Sequence, residues 1–426
     1  MLKHRRLSSQ TWDDEIHYER TLDLKCFLFL NEQTYADQAI YSRYFPYDDT
    51  YDSEVDTATL LVMDETKVAS SRESQPLYSY LGYLPGAAGM AIAELLDADF
   101  LKAFFLTKIA QVITYAAVLY FALKRLKGGA LIFASVCLLP TAMFLVSSFA
   151  YDWWVTVLIT LGYSIFISEM QNTERPFSLK AAIVMLLAMV LGCGPKAIYF
   201  FLIFPMLFVR KDKFASSKNC WIYRLMVVLA MLIVLASFLA PFLINTGDIT
   251  DTRGGSDVNS TEQLKFILED PMRYADILLR FLLSYISFGN AELYTTNYAY
   301  IGFLPNYYGT IAIFIMLYAA FTDRSERDGF KGAIPLKAIS WLTVAGQLAL
   351  VATALYIAFT PVGHHTVLGC QYRYILPILL PALYALGSTK LVRRGGRNYN
   401  EVLIPSLLAV NLFATFYIVY IQALIV

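Results

Sequence analysis

Ten apolar runs, parted by turns and polar loops, fill the chain from residue 100 onward. Crossing the hydrocarbon core of a bilayer takes ~20 apolar residues wound as a helix, because lipid offers no partner to an exposed backbone N–H or C=O. The runs at 100–124, 130–150, 153–170, 181–195, 197–209, 225–245, 308–322, 338–359, 373–388 and 402–425 meet or approach that length. Several are short, and 181–209 reads as two helices broken at Gly192-Cys193-Gly194-Pro195. The expected fold is an all-α polytopic membrane protein with about ten transmembrane helices. Composition agrees, at 57% hydrophobic against 16% charged residues, more apolar surface than a soluble core can hide.

The loops sort by charge. Lys124, Arg125 and Lys127, then Arg175 and Lys180, then Arg210, Lys211, Lys213, Lys218 and Arg224, then Arg324, Arg327, Lys331 and Lys337, then Lys390, Arg393, Arg394 and Arg397 occupy alternate connections. The connections between them are poor in basic residues for their length. Alternating helices put every basic cluster on one side, which the positive-inside rule makes cytoplasmic. Residues 1–97 and 246–307 are then extracytoplasmic, parts of one polytopic domain covering 1–426. A polar stretch as long as 1–97 needs an apolar signal to cross, so a helix is expected ahead of it. The zero net charge gives no footing for nucleic acid. The five cysteines form no CxxC pair, which disfavours a disulfide framework or a zinc site.

Both extracytoplasmic regions carry readable structure. The first is acidic and rich in tyrosine and ends in Tyr80-Leu81-Gly82-Tyr83-Leu84-Pro85, suited to interfacial helices at the headgroup level. In the second, Pro271-Met272 opens an amphipathic helix running to about Phe288, with Arg273, Asp276 and Arg280 among leucines. That pattern suits a helix lying in the interface rather than across it.

Titratable residues gather at four extracytoplasmic turns. In Trp12-Asp13-Asp14-Glu15-Ile16-His17-Tyr18-Glu19-Arg20, helical spacing puts Asp13, His17 and Arg20 on one face. Capping explains one or two acids ahead of a helix but not the histidine and arginine beside them. Asp152 stands at a tight turn in Ser147-Ser148-Phe149-Ala150-Tyr151-Asp152-Trp153-Trp154, with two tryptophans expected in the interfacial belt. Its competing role is a helix cap. Lys196 follows Gly194-Pro195 at another turn, on the side where lysines are scarce, and either snorkels or holds phosphate as a point charge. Arg373, in Gln371-Tyr372-Arg373-Tyr374-Ile375-Leu376-Pro377, stands where a guanidinium can clamp a phosphate or carboxylate. His364-His365 lacks a matching ligand set nearby and reads as loop.

Taken in order, W-D-D-E-I-H-Y-E-R, Y-L-G-Y-L-P-G, L-L-P-T-A-M-F-L-V-S-S-F-A-Y-D, G-P-K-A-I-Y and Q-Y-R-Y-I-L-P resemble a domain-of-unknown-function family of polytopic bacterial membrane proteins. That family is often linked to polysaccharide loci and is similar to the GT-C superclass of glycosyltransferases. Its members show D-E-x-x-H-F-x-R after a first transmembrane helix, S-x-x-x-D at a later turn, a turn lysine followed by tyrosine, and G-R-Y-x-x-P near the end. The resemblance implies functional positions at Asp13, Asp14, His17, Arg20, Asp152, Lys196, Tyr199, Arg373 and Tyr374. Gln371-Tyr372 stands where the family has a small residue before the arginine.

The resemblance implies a bacterial cytoplasmic-membrane enzyme that moves a sugar from a polyprenyl-phosphate carrier to an extracytoplasmic glycan acceptor. No cofactor is implied, and a divalent cation is left open. A carboxylate at Asp13 or Asp14, oriented by His17, would take the acceptor proton, and Lys196 and Arg373 would hold lipid phosphate. A transporter or flippase for a lipid-linked or anionic substrate is the runner-up, though transporters place charges at the midplane and carry internal repeats, neither visible here. A scaffold subunit of polysaccharide assembly is the third alternative.

Overall fold

A computed structural model describes residues 17, 20–22, 24–25, 28, 77–98, 100–244, 258–299, 302–323, 334–387 and 400–418. A 3-10 turn at Leu77–Tyr83 leads into α1 (Leu84–Leu95) and α2 (Phe100–Lys124). Then come α3 (Ala130–Cys137), α4 (Pro140–Val146), α5 (Asp152–Gln171) and α6 (Leu179–Cys193), followed by a long 3-10 segment at Gly194–Phe208. The chain continues through α7 (Ser217–Ile244), α8 (Ser260–Glu269), α9 (Pro271–Tyr285), α10 (Ala291–Thr295), α11 (Asn306–Thr322), α12 (Ile334–Phe359), α13 (Leu376–Leu386) and α14 (Asn400–Phe416). Among the described residues there is no sheet, only the isolated bridge of Asn297 with Phe303.

Among the described residues, five stretches are long and apolar enough to cross a membrane: Lys102–Lys124, Asp152–Gln171, Leu179–Phe208, Ser217–Ser237 and Pro335–Phe359. Asn306–Thr322, Tyr372–Leu386 and Val402–Phe416 are shorter apolar helices. The expected span at 130–150 is instead α3 and α4, broken at Leu138-Leu139. Pro140 has no N–H to continue a helix and holds Leu139 in extended backbone. Tyr115 Oη donates to Cys137 O at 2.6 Å and Asn411 Nδ2 to Leu138 O, so carbonyls freed at the break are satisfied within the protein.

Helix α5 is the axis of the bundle. Every residue in it except Leu161 and Ser168 is buried, as expected of a helix apolar on all sides. Trp153 and Trp154 are buried here rather than lying in an interfacial belt. Trp153 packs on Tyr115, and Trp154 Nε1 donates to Leu191 O at 2.9 Å.

The stretch Leu179–Phe208 doubles back rather than running straight. Lys196 leaves helical geometry at φ −138° and ψ 73°. Phe177 N, ahead of α6, donates to Lys213 O, beyond the 3-10 segment, at 2.6 Å. The two ends therefore meet and Lys196 is the apex, which matches the break expected at Gly192-Cys193-Gly194-Pro195. On the returning leg Pro205 has no N–H for Leu202 O, its 3-10 acceptor. Tyr163 Oη fills that place at 2.6 Å. Gln347 Nε2 to Ile198 O and Tyr223 Oη to Met206 O, both at 2.9 Å, serve the carbonyls four residues before and four after Leu202. Side chains of three helices thus sustain a 3-10 run far longer than its own hydrogen bonds favour.

Among the described residues, the connections bearing Lys127, Arg175 and Lys213 gather at one end, while the basic residues Arg324 to Lys331 and Lys390 to Arg397 lie outside the described residues. Ser168 Oγ donates to Arg125 O, Lys127 N to Gln171 Oε1, Lys213 Nζ to Asn172 O and Lys337 Nζ to Gly387 O, binding the connections there into one layer. The opposite end carries Asp152, Lys196 and Arg373.

Candidate functional site

Three side chains from three distant segments meet at the N-terminus of α5. Asp152 opens that helix, where the positive end of the helix dipole favours an acid. Lys196 is at the apex of the hairpin, and Arg373 lies in the short 3-10 turn Tyr372–Ile375 that leads into α13. Lys196 Nζ reaches Asp152 Oδ1 at 2.6 Å and Arg373 Nε reaches Oδ2 at 3.2 Å. The side chains are 14%, 7% and 5% exposed for Lys196, Asp152 and Arg373, so the cluster is shielded from water. Lys196 and Arg373, expected as lone cations at separate helix ends, instead share one carboxylate. Asp152 is no simple N-cap either, since α5 has no side-chain cap.

Tyrosines enclose the cluster. Lys196 Nζ lies 3.5 Å from the ring centre of Tyr374 and 5.4 Å from that of Tyr151, a cation–π arrangement whose value grows as water is excluded. Tyr199 Oη donates to Tyr374 O at 2.8 Å and ties the hairpin to the arginine turn. Gly82 lets the Leu77–Tyr83 turn settle on this region, since a Cβ there would come within 2.6 Å of Tyr151 Cβ.

The first charged cluster of the sequence reaches the same place through His17. Its ring is buried, bonds Tyr83 Oη through Nδ1 at 2.7 Å and packs edge-on to Tyr151 at 5.4 Å. Among the described residues His17 Nε2 has no hydrogen-bond partner. Burial first, and then the charge of Arg373, hold the imidazole well below its ordinary value of 6.5, so it is neutral at neutral pH. Arg20 lies beside Tyr83, whose hydroxyl burial pushes upward. Asp13 and Asp14 lie outside the described residues.

The structure therefore brings together His17, Arg20, Asp152, Lys196, Tyr199, Arg373 and Tyr374. It adds Tyr83 and Tyr151, to which the sequence reading assigned no role. The signal for both was present: Tyr83 follows the glycine of Tyr80-Leu81-Gly82-Tyr83, and Tyr151 immediately precedes Asp152. His364 and His365 lie with tilted rings 4.3 Å apart in a loop where His364 O accepts from Tyr356 Oη at 2.7 Å, apart from the cluster. Among the described residues no three His, Cys, Asp or Glu side chains gather as a metal site.

One carboxylate between two cations, walled by aromatic rings and shielded from water, is suited to receiving an anion. A family model described as "Predicted membrane protein (DUF2142)" matches residues 11–382, a stretch that holds every residue of this cluster. The chain belongs to that family of membrane proteins. Neither the curated proteins nor the solved structures contain a match. Within the family match, the segment bearing Asp13 and Asp14 and the turn bearing Arg373 lie near opposite limits of the matched range, and His17 and Arg373 meet across the fold.

Proposed function

We propose that this protein is a glycosyltransferase of the GT-C kind, set in the bacterial cytoplasmic membrane. It moves a sugar from a polyprenyl-phosphate carrier to a glycan acceptor outside. The observation that carries the reading is the shielded Asp152–Lys196–Arg373 cluster with His17 against it. Lys196 and Arg373 hold the lipid phosphate and offset the charge that develops on it as the glycosidic bond breaks. Asp152 is a positioning residue: it keeps two cations side by side that would otherwise repel. Asp13 or Asp14, within four residues of His17 in sequence, accepts the acceptor hydroxyl's proton as general base. His17, neutral at physiological pH, orients that acid.

The gathering of basic loops at the Glu169 end of α5 supports a cytoplasmic position for that end, by the positive-inside rule. The Asp152 cluster then faces the extracytoplasmic side. The transporter alternative is less well supported. A broken helix in a transporter turns its freed carbonyls toward a substrate or ion, whereas those of the α3–α4 break are occupied by Tyr115 and Asn411.

The test is transfer measured with Asp13→Asn and Asp14→Asn. One of the two is expected to lose about 100- to 10,000-fold in turnover while still binding donor, the usual cost of removing a general base. Two stable, fully active Asn variants would overturn the general-base assignment, and a wild-type protein that binds donor without transferring the sugar would return transport to the front.

A further inference from the structure

Helix α9 presents three faces rather than two. Asp270 caps it, accepting from Arg273 N at 3.1 Å, and Pro271 stands in its first turn. Advancing about 100° per residue, Tyr274, Ile277 and Tyr285 fall on one side and are buried. Arg273, Asp276 and Arg280 fall on a second side and are exposed, with Arg280 paired to Asp276 at 2.8 Å. Met272, Leu279, Leu283 and Ile286 fall on the third, and they too are exposed, Met272 by 80% and Leu283 by 62%. Helix α8, joined to it through Asp270, adds Leu264 and Leu268, the latter 72% exposed.

An apolar stripe bordered by charges on one side and by protein on the other suits the boundary between headgroups and acyl chains. Continuity decides for lipid as the occupant. Just past α9, Phe288 packs against Phe314, with ring centres 6.4 Å apart. Phe314 is 60% exposed on the apolar helix α11, so the stripe runs on into a surface built to face lipid.

The buried face of α9 touches the site. Tyr285, its last residue, donates through Oη to Gln371 O at 2.8 Å and stacks on Tyr372 at 4.9 Å and 8°. Arg373 is the next residue in the chain. We propose that α8 and α9 form a hairpin seated in the interfacial layer of the outer leaflet, and that Tyr285 makes this seat the support that positions Arg373. The seat stands by itself, whereas the coupling rests on the phosphate role given to Arg373 above.

The seat is tested with nitroxide labels at Asp276→Cys, Leu279→Cys, Arg280→Cys and Leu283→Cys. The protein is held in nanodiscs of phosphatidylethanolamine and phosphatidylglycerol. Labels at 279 and 283 are expected to collide with oxygen, which partitions into lipid, and those at 276 and 280 with a water-soluble nickel chelate. Nickel access at 279 and 283, or dipolar broadening between two copies at those positions, overturns the seat. The coupling is tested with Tyr285→Phe, which keeps the stack and removes the hydroxyl. One lost hydrogen bond should weaken binding of polyprenyl phosphate about 2- to 10-fold, with label depth unchanged. Equal affinity overturns the coupling, and a wild-type protein that binds no polyprenyl phosphate removes the phosphate role together with the coupling while leaving the seat standing.

Discussion

Helix α5 carries an acid at each end, and the two are treated in opposite ways. At the C-terminal end Glu169 is buried where the helix dipole disfavours a negative charge. Arg175 grips it with two nitrogens at 2.8 and 2.5 Å, Ser178 N adds a third bond at 2.9 Å, and Lys213 Nζ caps Asn172 O at 2.8 Å. The acid is saturated and its arginine is half exposed, with a side chain 48% open to water. At the N-terminal end Asp152 sits where the dipole suits it, yet it faces two cations that are both shielded. The Glu169 end pins two loops together with matched charges, whereas the Asp152 end joins three segments with one positive charge left over and kept out of water. Two cations sharing one carboxylate out of water leave an excess positive charge at a desolvation cost, an arrangement that points to a ligand.

The sharpest way to break this comparison is to neutralise each acid. Asp152→Asn should cost about 3–5 kcal/mol of stability, because it strands two buried cations against each other. Glu169→Gln should cost less, about 1–3 kcal/mol, because Arg175 can turn into water and the loss is confined to hydrogen bonds to a charged acceptor. Thermal unfolding in detergent checks both, and equal losses would mean that the two ends are one kind of staple.

Donor binding separates the ends next. Lys196→Gln removes a charge-assisted contact and is expected to lower affinity for a polyprenyl-phosphate sugar about 10- to 100-fold. Arg175→Gln should leave that affinity unchanged.

A smaller effect follows from His17. Its folded pKa lies well below 6.5, so between those values the unfolded chain binds a proton that the folded chain does not. Stability therefore falls as pH drops below about 6.5, and it levels off once the folded pKa is passed. His17→Gln should flatten that part of the pH profile of the melting temperature. A slope unaltered by the substitution would place the titrating group elsewhere.

Chemistry was easier to read from the sequence than geometry. Asp152, Lys196 and Arg373 stood out because charges at the ends of apolar runs are rare and need a reason. Nothing in the sequence says that they share one carboxylate, because that depends on how α5, the hairpin and the turn before α13 pack together. The break at Lys196 was legible in Gly192-Cys193-Gly194-Pro195, whereas the break at Pro140 was lost inside a run of even hydrophobicity. Pro205 left no sequence sign of its remedy, since Tyr163 Oη arrives from another helix. The tryptophans after Asp152 looked interfacial because the sequence cannot show that α5 is surrounded by protein at that level. The Glu169–Arg175 clamp passed as part of a basic loop, because its acid precedes the cluster inside an apolar span.

The most direct test of the central claim, that the Asp152 end is an anion site and the Glu169 end is not, is a cryo-EM map of the protein with polyprenyl phosphate in nanodiscs. The account predicts phosphate density within hydrogen-bonding reach of Lys196 Nζ and the Arg373 guanidinium, with Asp152 still between them. Phosphate density at the Arg175 and Lys213 end, with the Asp152 cluster unaltered, would contradict it.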